Sequence, residues 1–297
     1  MCVYRSLIFI PSSNTKMLDK IELLNPDGFI LDLEDSVPPH LKETARININ
    51  NKIDTLTSSG LLNLKDIFVR INDLESSLAS KDVEVTLRPE VCGYVIPKFE
   101  GIGKLQSLEN ELLKKEKSNG ITAGKIKLIL MVESPKGLSE LSNIRNHDRE
   151  PFFQRIIAVA LGFEDFVRNI TVFGNISSDM FDFVRKSMLI YAKANNFLAI
   201  DTVYKNFKDT DGLRNDTIKS ASMGFDGRFA IHPSQIDIIN SCFMPKEEDI
   251  KKMELILSNK GKIENEGAIS INDIMYDPPH LKWAEDIKDY LDKIENK

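Results

Sequence analysis

The stretch KLILMVESPKGL, residues 127–138, decides how the chain is read: an apolar run ends in Glu133, and Pro135 opens an amphipathic segment. A run apolar at successive residues suits a strand covered on both faces, as in a parallel sheet. IFVRI at 67–71 and RIIAVAL at 155–161 repeat the pattern. Working outward, strands are expected at 6–11, 28–35, 67–72, 93–98, 127–133, 156–162, 198–204 and 228–232. Helices are expected between them at 15–24, 40–57, 104–116, 135–145, 179–196, 211–223 and 234–242. About eight such units favour a closed (β/α)8 TIM barrel, an α/β fold, over an open doubly wound sheet. The unit between Asn72 and Gly93 has the weakest helix, because Pro89 is expected to interrupt it. The polar, glycine-bearing segment 117–124 reads as an exposed loop, and GIG at 101–103 as a turn.

The pattern changes after residue 245. A charged helix over 246–258, an irregular segment over 264–277 and a second helix over 280–294 are expected. The predicted organisation is a TIM-barrel catalytic domain over 1–245 and a C-terminal helical extension or lid over 246–297. The length of 297 residues agrees, since a typical barrel takes roughly 250. Hydrophobic residues at 42% and charged residues at 28% can build a substantial core. A formal net charge of −6 argues against a nucleic-acid surface. Cys2, Cys92 and Cys242 are too few and scattered for a disulfide framework or a zinc site, which fits a reducing compartment. The apolar run near the start is too short for a signal segment or a membrane span. The expected location is cytoplasmic, with neither nucleic acid nor membrane as partner.

In a barrel of this kind, reactive groups stand after the C-terminal ends of the strands. The polar residues there are Asp32, Glu34 and Asp35, then Arg70 and Asn72, Lys98, Glu133, Glu164 and Asp165, Asp201 and Tyr204, and His232. Carboxylates brought together from separate strands repel one another, and a hard divalent cation removes that cost. Oxygen donors without clustered His or Cys favour Mg²⁺ over zinc. Glu133 and Asp165 are the leading metal ligands, with Asp32, Glu34 and Asp35 as acceptors for metal-bound water. Plainer readings stand beside these. An Asp after a strand is commonly a turn former, and DLED can simply cap the helix after Pro38 and Pro39. Arg70 beside Asn72 can be a structural ion-pair former, and His232 a hydrogen-bonded structural residue.

Nine ordered fragments resemble the citrate lyase beta-subunit-like family of the HpcH/HpaI aldolase superfamily, which includes malyl-CoA and citramalyl-CoA lyases. They are RSLIFIPSSN at 5–14, GFILDLEDSV at 28–37, FVRIN at 68–72, VIPKFE at 95–100, MVESPKGL at 131–138, ALGFEDF at 160–166, AIDTVYKNFKDTDGL at 199–213, GFDGRFAIHPSQIDIIN at 224–240 and IMYDPPHLKWA at 274–284. The resemblance implies a TIM-barrel lyase that binds Mg²⁺ through Glu133 and Asp165, with Arg70 on an oxo-acid or thioester oxygen. It implies that Asp277 acts as acid/base in a neighbouring subunit's site, and that the protein is a homotrimer or homohexamer. Glu34 and Asp35 join the catalytic set, and Arg5, Lys16, Arg70 and Lys98 are placed toward substrate and CoA. The expected partners are an acyl-CoA thioester and a small oxo acid. Three readings compete: the beta subunit of a citrate lyase acting on a carrier-protein thioester, a metal-dependent pyruvate aldolase without CoA, and a silent CoA-binding barrel. The sequence departs from the family in three places. No glycine occurs in 11–14, Asn272–Asp273 is expected to make the turn of the C-terminal motif, and Tyr276 stands where an aliphatic residue is usual.

Overall fold

The computed structural model describes residues 3–62, 66–170 and 176–295. Eight parallel strands close into a barrel in chain order: β1 Ser6–Pro11, β2 Gly28–Asp32, β3 Ile67–Arg70, β4 Gly93–Ile96, β5 Lys127–Val132, β6 Ile156–Leu161, β7 Leu198–Asp201 and β8 Gly227–Ala230. Every strand but β1 stops one to three residues short of the expected end, where the chain turns into the loops of the C-terminal rim. The alternate residues Ile129 and Met131, Ala158 and Ala160, and Leu198 and Ile200 pack in one cluster with Leu7, Ile30, Phe68, Val95 and Phe229. That layered filling makes the barrel a core rather than a pore.

The helices follow the expected order, with two additions. Ser77–Thr86 is a helix, capped by the Ser76 hydroxyl accepting from Leu78 N; Pro89 lies beyond its end rather than inside it. Phe163–Ile170 is a short helix directly after β6, with Glu164 and Asp165 in its first turn. Acidic side chains suit that end of a helix, where backbone N–H groups lack partners. Helix Ile102–Ser118 runs further in both directions than expected, taking in part of GIG and the first residues of the supposed loop.

The chain divides into two compact units, Tyr4–Cys242 and the segment from Phe243 onward. The second unit holds helices Glu247–Ser258, Lys260–Glu266 and Pro278–Glu295, with a hairpin of β9 Ile269–Ile271 and β10 Ile274–Tyr276. The segment expected to be irregular is therefore mostly ordered. Asn272 and Asp273 both have positive φ, 51° and 63°, as a two-residue hairpin turn twisted like its strands requires. Tyr276 is buried in this unit's own core with Ile256, Ile263 and Leu281. No helix among the described residues is long and apolar enough to cross a membrane.

Candidate active site

Asp32 and Arg70 end neighbouring strands in register, so closure of β2 onto β3 sets carboxylate beside guanidinium. Arg70 donates from Nε and Nη2 to the two oxygens of Asp32, each at 2.6 Å. This fork-to-fork pairing is the strongest geometry available to the two groups. The Phe9 ring from β1 lies 4.7 Å from the guanidinium carbon, and Nη1 stands 3.3 Å from Glu34 Oε2. Burial works against the Asp32 charge, but Arg70 outweighs it and holds the carboxyl below its usual range. Arg70 is likewise penalised by burial and held firmly protonated, chiefly by Asp32.

The rest of the Asp32 carboxylate folds its own loop, accepting from Glu34 N at 2.9 Å, Ser36 N at 3.2 Å and the Ser36 hydroxyl. Asp32 thus forms the turn and orients Arg70. Below this loop, Lys42 is buried at the start of helix Lys42–Ser58 and donates from Nζ to Leu33 O at 2.6 Å and Glu34 O at 2.7 Å. Burial pushes its pKa down against the pull of the nearby carboxylates. Asn72, after β3, is fixed by Asp82, which accepts from its backbone N–H at 2.7 Å and side-chain amide at 2.6 Å.

Lys98, after β4, adopts a left-handed backbone with φ of 50°, a conformation that costs a non-glycine residue energy and clusters at functional loops. It donates its N–H to Glu133 Oε2 at 2.8 Å and its ammonium to Glu34, with Asp35 3.6 Å away. Burial opposes the Lys98 charge, yet Glu34, Asp35 and Glu133 together hold its pKa above the usual lysine value. Glu34 is raised by burial, which its cationic neighbours only partly offset.

Glu133 follows the last residue of β5 and is 3% exposed. Burial pushes its carboxyl up to about 8, reinforced by Glu34 and Asp165 and opposed by the Lys98 N–H and by Arg70. Asp165 is more open and accepts from Arg168 Nη1 at 2.7 Å. Asn169 ties the two acidic positions together, donating to Glu133 O at 3.2 Å and Asp165 O at 2.9 Å. Among the described residues no group of three or more His, Cys, Asp or Glu side chains is arranged to hold a metal. Glu133 and Asp165 form a two-carboxylate set instead. That set fits Mg²⁺, which keeps several positions for water and substrate, and a carboxyl raised by burial and by the acidic groups beside it is one a cation would stabilise.

Asp32, Arg70, Glu133 and Asp165 line one cavity of about 320 Å³, much of whose remaining wall is apolar. A second recess, also about 320 Å³, shares Glu133 and Asp165 and adds Lys98, Lys104 and Arg168. The acidic pair therefore borders both an apolar and a charged space.

Five further expected positions lie outside the lining of both recesses. Arg5 precedes β1 and so stands at the N-terminal end of the barrel, opposite the cavity. Its guanidinium binds Asp27 through Nε and Nη2, both at 2.8 Å, which corrects its placement toward CoA. Asp201 is fully buried and salt-bridged to Arg185 rather than facing the cavity. His232 caps the turn that follows, accepting from Ser234 N at 3.2 Å, and stacks on Phe207. Lys16 is exposed on the helix after β1. Asp277 belongs to the second unit, where it heads helix Pro278–Glu295 and meets His280 Nδ1 at 2.5 Å. The His280 hydrogen bond holds its carboxyl below the usual range. Sequence reasoning missed Lys42, which holds the backbone of the loop that carries Glu34, and Gly162, which leaves room for the Glu133 side chain.

The family described as HpcH/HpaI aldolase/citrate lyase matches residues 5–233, the whole barrel from β1 past β8. The chain belongs to this family. Citrate lyase subunit beta of Haemophilus influenzae is 30% identical over 287 residues, 96% of each chain. The mitochondrial citramalyl-CoA lyase of Rattus norvegicus is 31% identical over 300 residues, covering 99% of this chain and 87% of its own. These HpcH/HpaI relatives are lyases, and the chain is an enzyme of that class. Among solved structures, the protein CitE of Mycobacterium tuberculosis in complex with magnesium, acetoacetate and coenzyme A has a TM-score of 0.70 and 23% identity, with 97% of both chains covered. At that identity the likeness bears on the fold.

Proposed function

We propose that the chain is a Mg²⁺-dependent carbon–carbon lyase that cleaves or forms a β-hydroxyacyl-CoA thioester of the malyl-, citramalyl- or citryl-CoA type, yielding acetyl-CoA and an oxo acid. The observation that carries this reading is the Arg70–Asp32 pair opening onto the same cavity as Glu133 and Asp165. The relatives named as citrate lyase subunit beta and citramalyl-CoA lyase support it, as does the neighbour crystallised with magnesium and coenzyme A.

Cleavage requires removal of the β-hydroxyl proton, breakage of the adjacent carbon–carbon bond, and acceptance of the electron pair by the thioester as an enolate, which is then protonated on carbon. Arg70 is rigidly oriented by Asp32 and stacked on Phe9, so its remaining N–H groups can bind a developing oxyanion without reorganising. Glu133 and Asp165 would hold Mg²⁺, which supplies Lewis-acid polarisation of the oxo-acid oxygens. Lys98 and Glu34 hold each other in place beside Glu133, with Asp35 at the rim. Asp277, kept ionised by His280, is suited to receive the hydroxyl proton, and we assign it to the site of a neighbouring subunit in a homotrimer or homohexamer. In this reading residues 246–297 form the lid that delivers it.

A second reading is the beta subunit of a citrate lyase acting on a carrier-protein thioester, favoured by the end-to-end match to that subunit. Assay of the purified chain against CoA and carrier-protein thioesters, with and without Mg²⁺, tests both. Metal-stimulated turnover of a CoA thioester is the expected result; turnover on the carrier alone selects the second reading, and none on either rejects both in favour of a silent barrel.

A further inference from the structure

The cavity that opens at Arg70 is unbalanced in a way that bears on the oxo acid. Among the described residues that line it, Arg70 is the sole cation. A guanidinium has five N–H groups. Two on Arg70 are taken by Asp32 and a third side faces Glu34, which leaves it able to hold one oxygen pair. The cations of the two adjoining recesses are already paired: Lys98 with Glu34, Lys104 with Glu75 and Arg168 with Asp165 on one side, Lys205 with Glu164, Lys219 with Asp182 and Arg228 with Asp216 on the other. The hydroxyls of Ser36 and Thr202 are neutral and cannot balance a carboxylate. Phe9 and Phe229 pack at 4.8 Å between ring centroids, and Met131, Val203 and Ile231 add further carbon surface.

From this we infer that the site selects a 2-oxo monocarboxylate bearing a short alkyl group, of the pyruvate kind, over a 2-oxo dicarboxylate of the oxaloacetate kind. The inference rests on the lyase reading for its substrate frame. Either acid offers one carboxylate and a keto oxygen to Arg70 and to the Mg²⁺ that the acidic pair would hold. The two differ in the remaining substituent, a methyl in one and a carboxymethyl in the other. Against the Phe9, Phe229 and Val203 wall the methyl loses only water, whereas the second carboxylate loses its hydration and finds no free cation. The specificity-determining residues are therefore the apolar ones, because they withhold a partner from the second charge.

Two measurements on the full chain with Mg²⁺ test this. In the first, kcat/KM for citramalyl-CoA is compared with that for citryl-CoA, with a preference of roughly tenfold or more expected for the former. Equal or better turnover of citryl-CoA overturns the inference. In the second, pyruvate and oxaloacetate are titrated calorimetrically into the Mg²⁺-loaded protein, and pyruvate is expected to bind more tightly. Oxaloacetate binding as well or better overturns it even where no thioester turns over, while absent turnover with pyruvate still preferred rejects the lyase reading alone. Val203→Arg supplies the missing cation and should narrow or invert the binding preference; an unchanged ratio in the folded variant removes the wall from the argument.

Discussion

The Glu133 side chain lies across the bare backbone of Gly162: a β-carbon at Gly162 would stand 2.4 Å from Glu133 Cγ and 2.7 Å from its Oε1. Strand β5 thus delivers its carboxylate by way of a gap left at the end of β6. Gly162→Ala is expected to destabilise the fold by about 1–3 kcal/mol through overpacking. It should also displace Glu133 and weaken Mg²⁺ binding on the order of 10–100-fold, as changes beside metal ligands do. Titration calorimetry against thermal unfolding separates the two effects, and wild-type affinity in the variant would remove Gly162 from the metal site.

Glu133→Ala and Asp165→Ala should each abolish metal-stimulated turnover while the barrel stays folded. Glu133→Ala should not lower the melting temperature of the metal-free protein much, because the deleted carboxyl is one whose charged form burial disfavours. Circular dichroism and turnover measured together check this. Full activity in either variant defeats the ligand assignment.

The raised Glu133 carboxyl gives a signed pH dependence. Only its ionised form binds a cation, so Mg²⁺ affinity should climb by up to about tenfold per pH unit toward pH 8 and then level. In metal-free protein, between the ordinary glutamate range and about 8, the folded state keeps a proton that the unfolded chain has lost. Stability should therefore fall as pH rises through that window, and Glu133→Gln should flatten the slope. Urea melts at several pH values measure it; a rise in stability that Glu133→Gln leaves unaltered would contradict the assignment.

Lys42→Met should leave the buried carbonyls of Leu33 and Glu34 without their donor. The expected loss is about 1–3 kcal/mol for each unsatisfied acceptor, read as a lower urea midpoint. Turnover should drop with it, because the same loop carries Glu34. A Lys42→Met protein as stable as wild type would show that water or a shifted loop replaces the ammonium.

Asp277→Asn should keep Mg²⁺ affinity and lose most turnover, since only the proton-accepting group is neutralised. If sites are shared between subunits, mixed oligomers of Asp277→Asn and Glu133→Ala chains should regain activity that neither parent has. Verified mixed oligomers with no recovery would place Asp277 outside a shared site.

Much of this site is legible from the strand ends. Glu133 and Asp165 are read from the apolar runs that precede them, because a run's last residue marks where a strand meets the mouth. The same rule, applied to the residue before a run, would have set Arg5 at the opposite end. Ser76 was an available start signal for the helix obscured by Pro89. Lys42 carried no such signal, since a lysine near a helix start ordinarily faces solvent.

By itself the sequence favoured an eight-unit barrel, carried the family resemblance, and gave most of the polar residues of the C-terminal rim, because each follows from local hydrophobic pattern and ordered motif. Only the tertiary structure decided how those residues are partnered. Asp32 meets Arg70 across 38 positions and Glu34 meets Lys98 across 64, and such pairings depend on barrel closure and strand register. The same closure turned an ordinary glycine, Gly162, into the space that Glu133 occupies. Local pattern records the path of the backbone, whereas charge pairing and burial depend on what closure brings within a few ångströms.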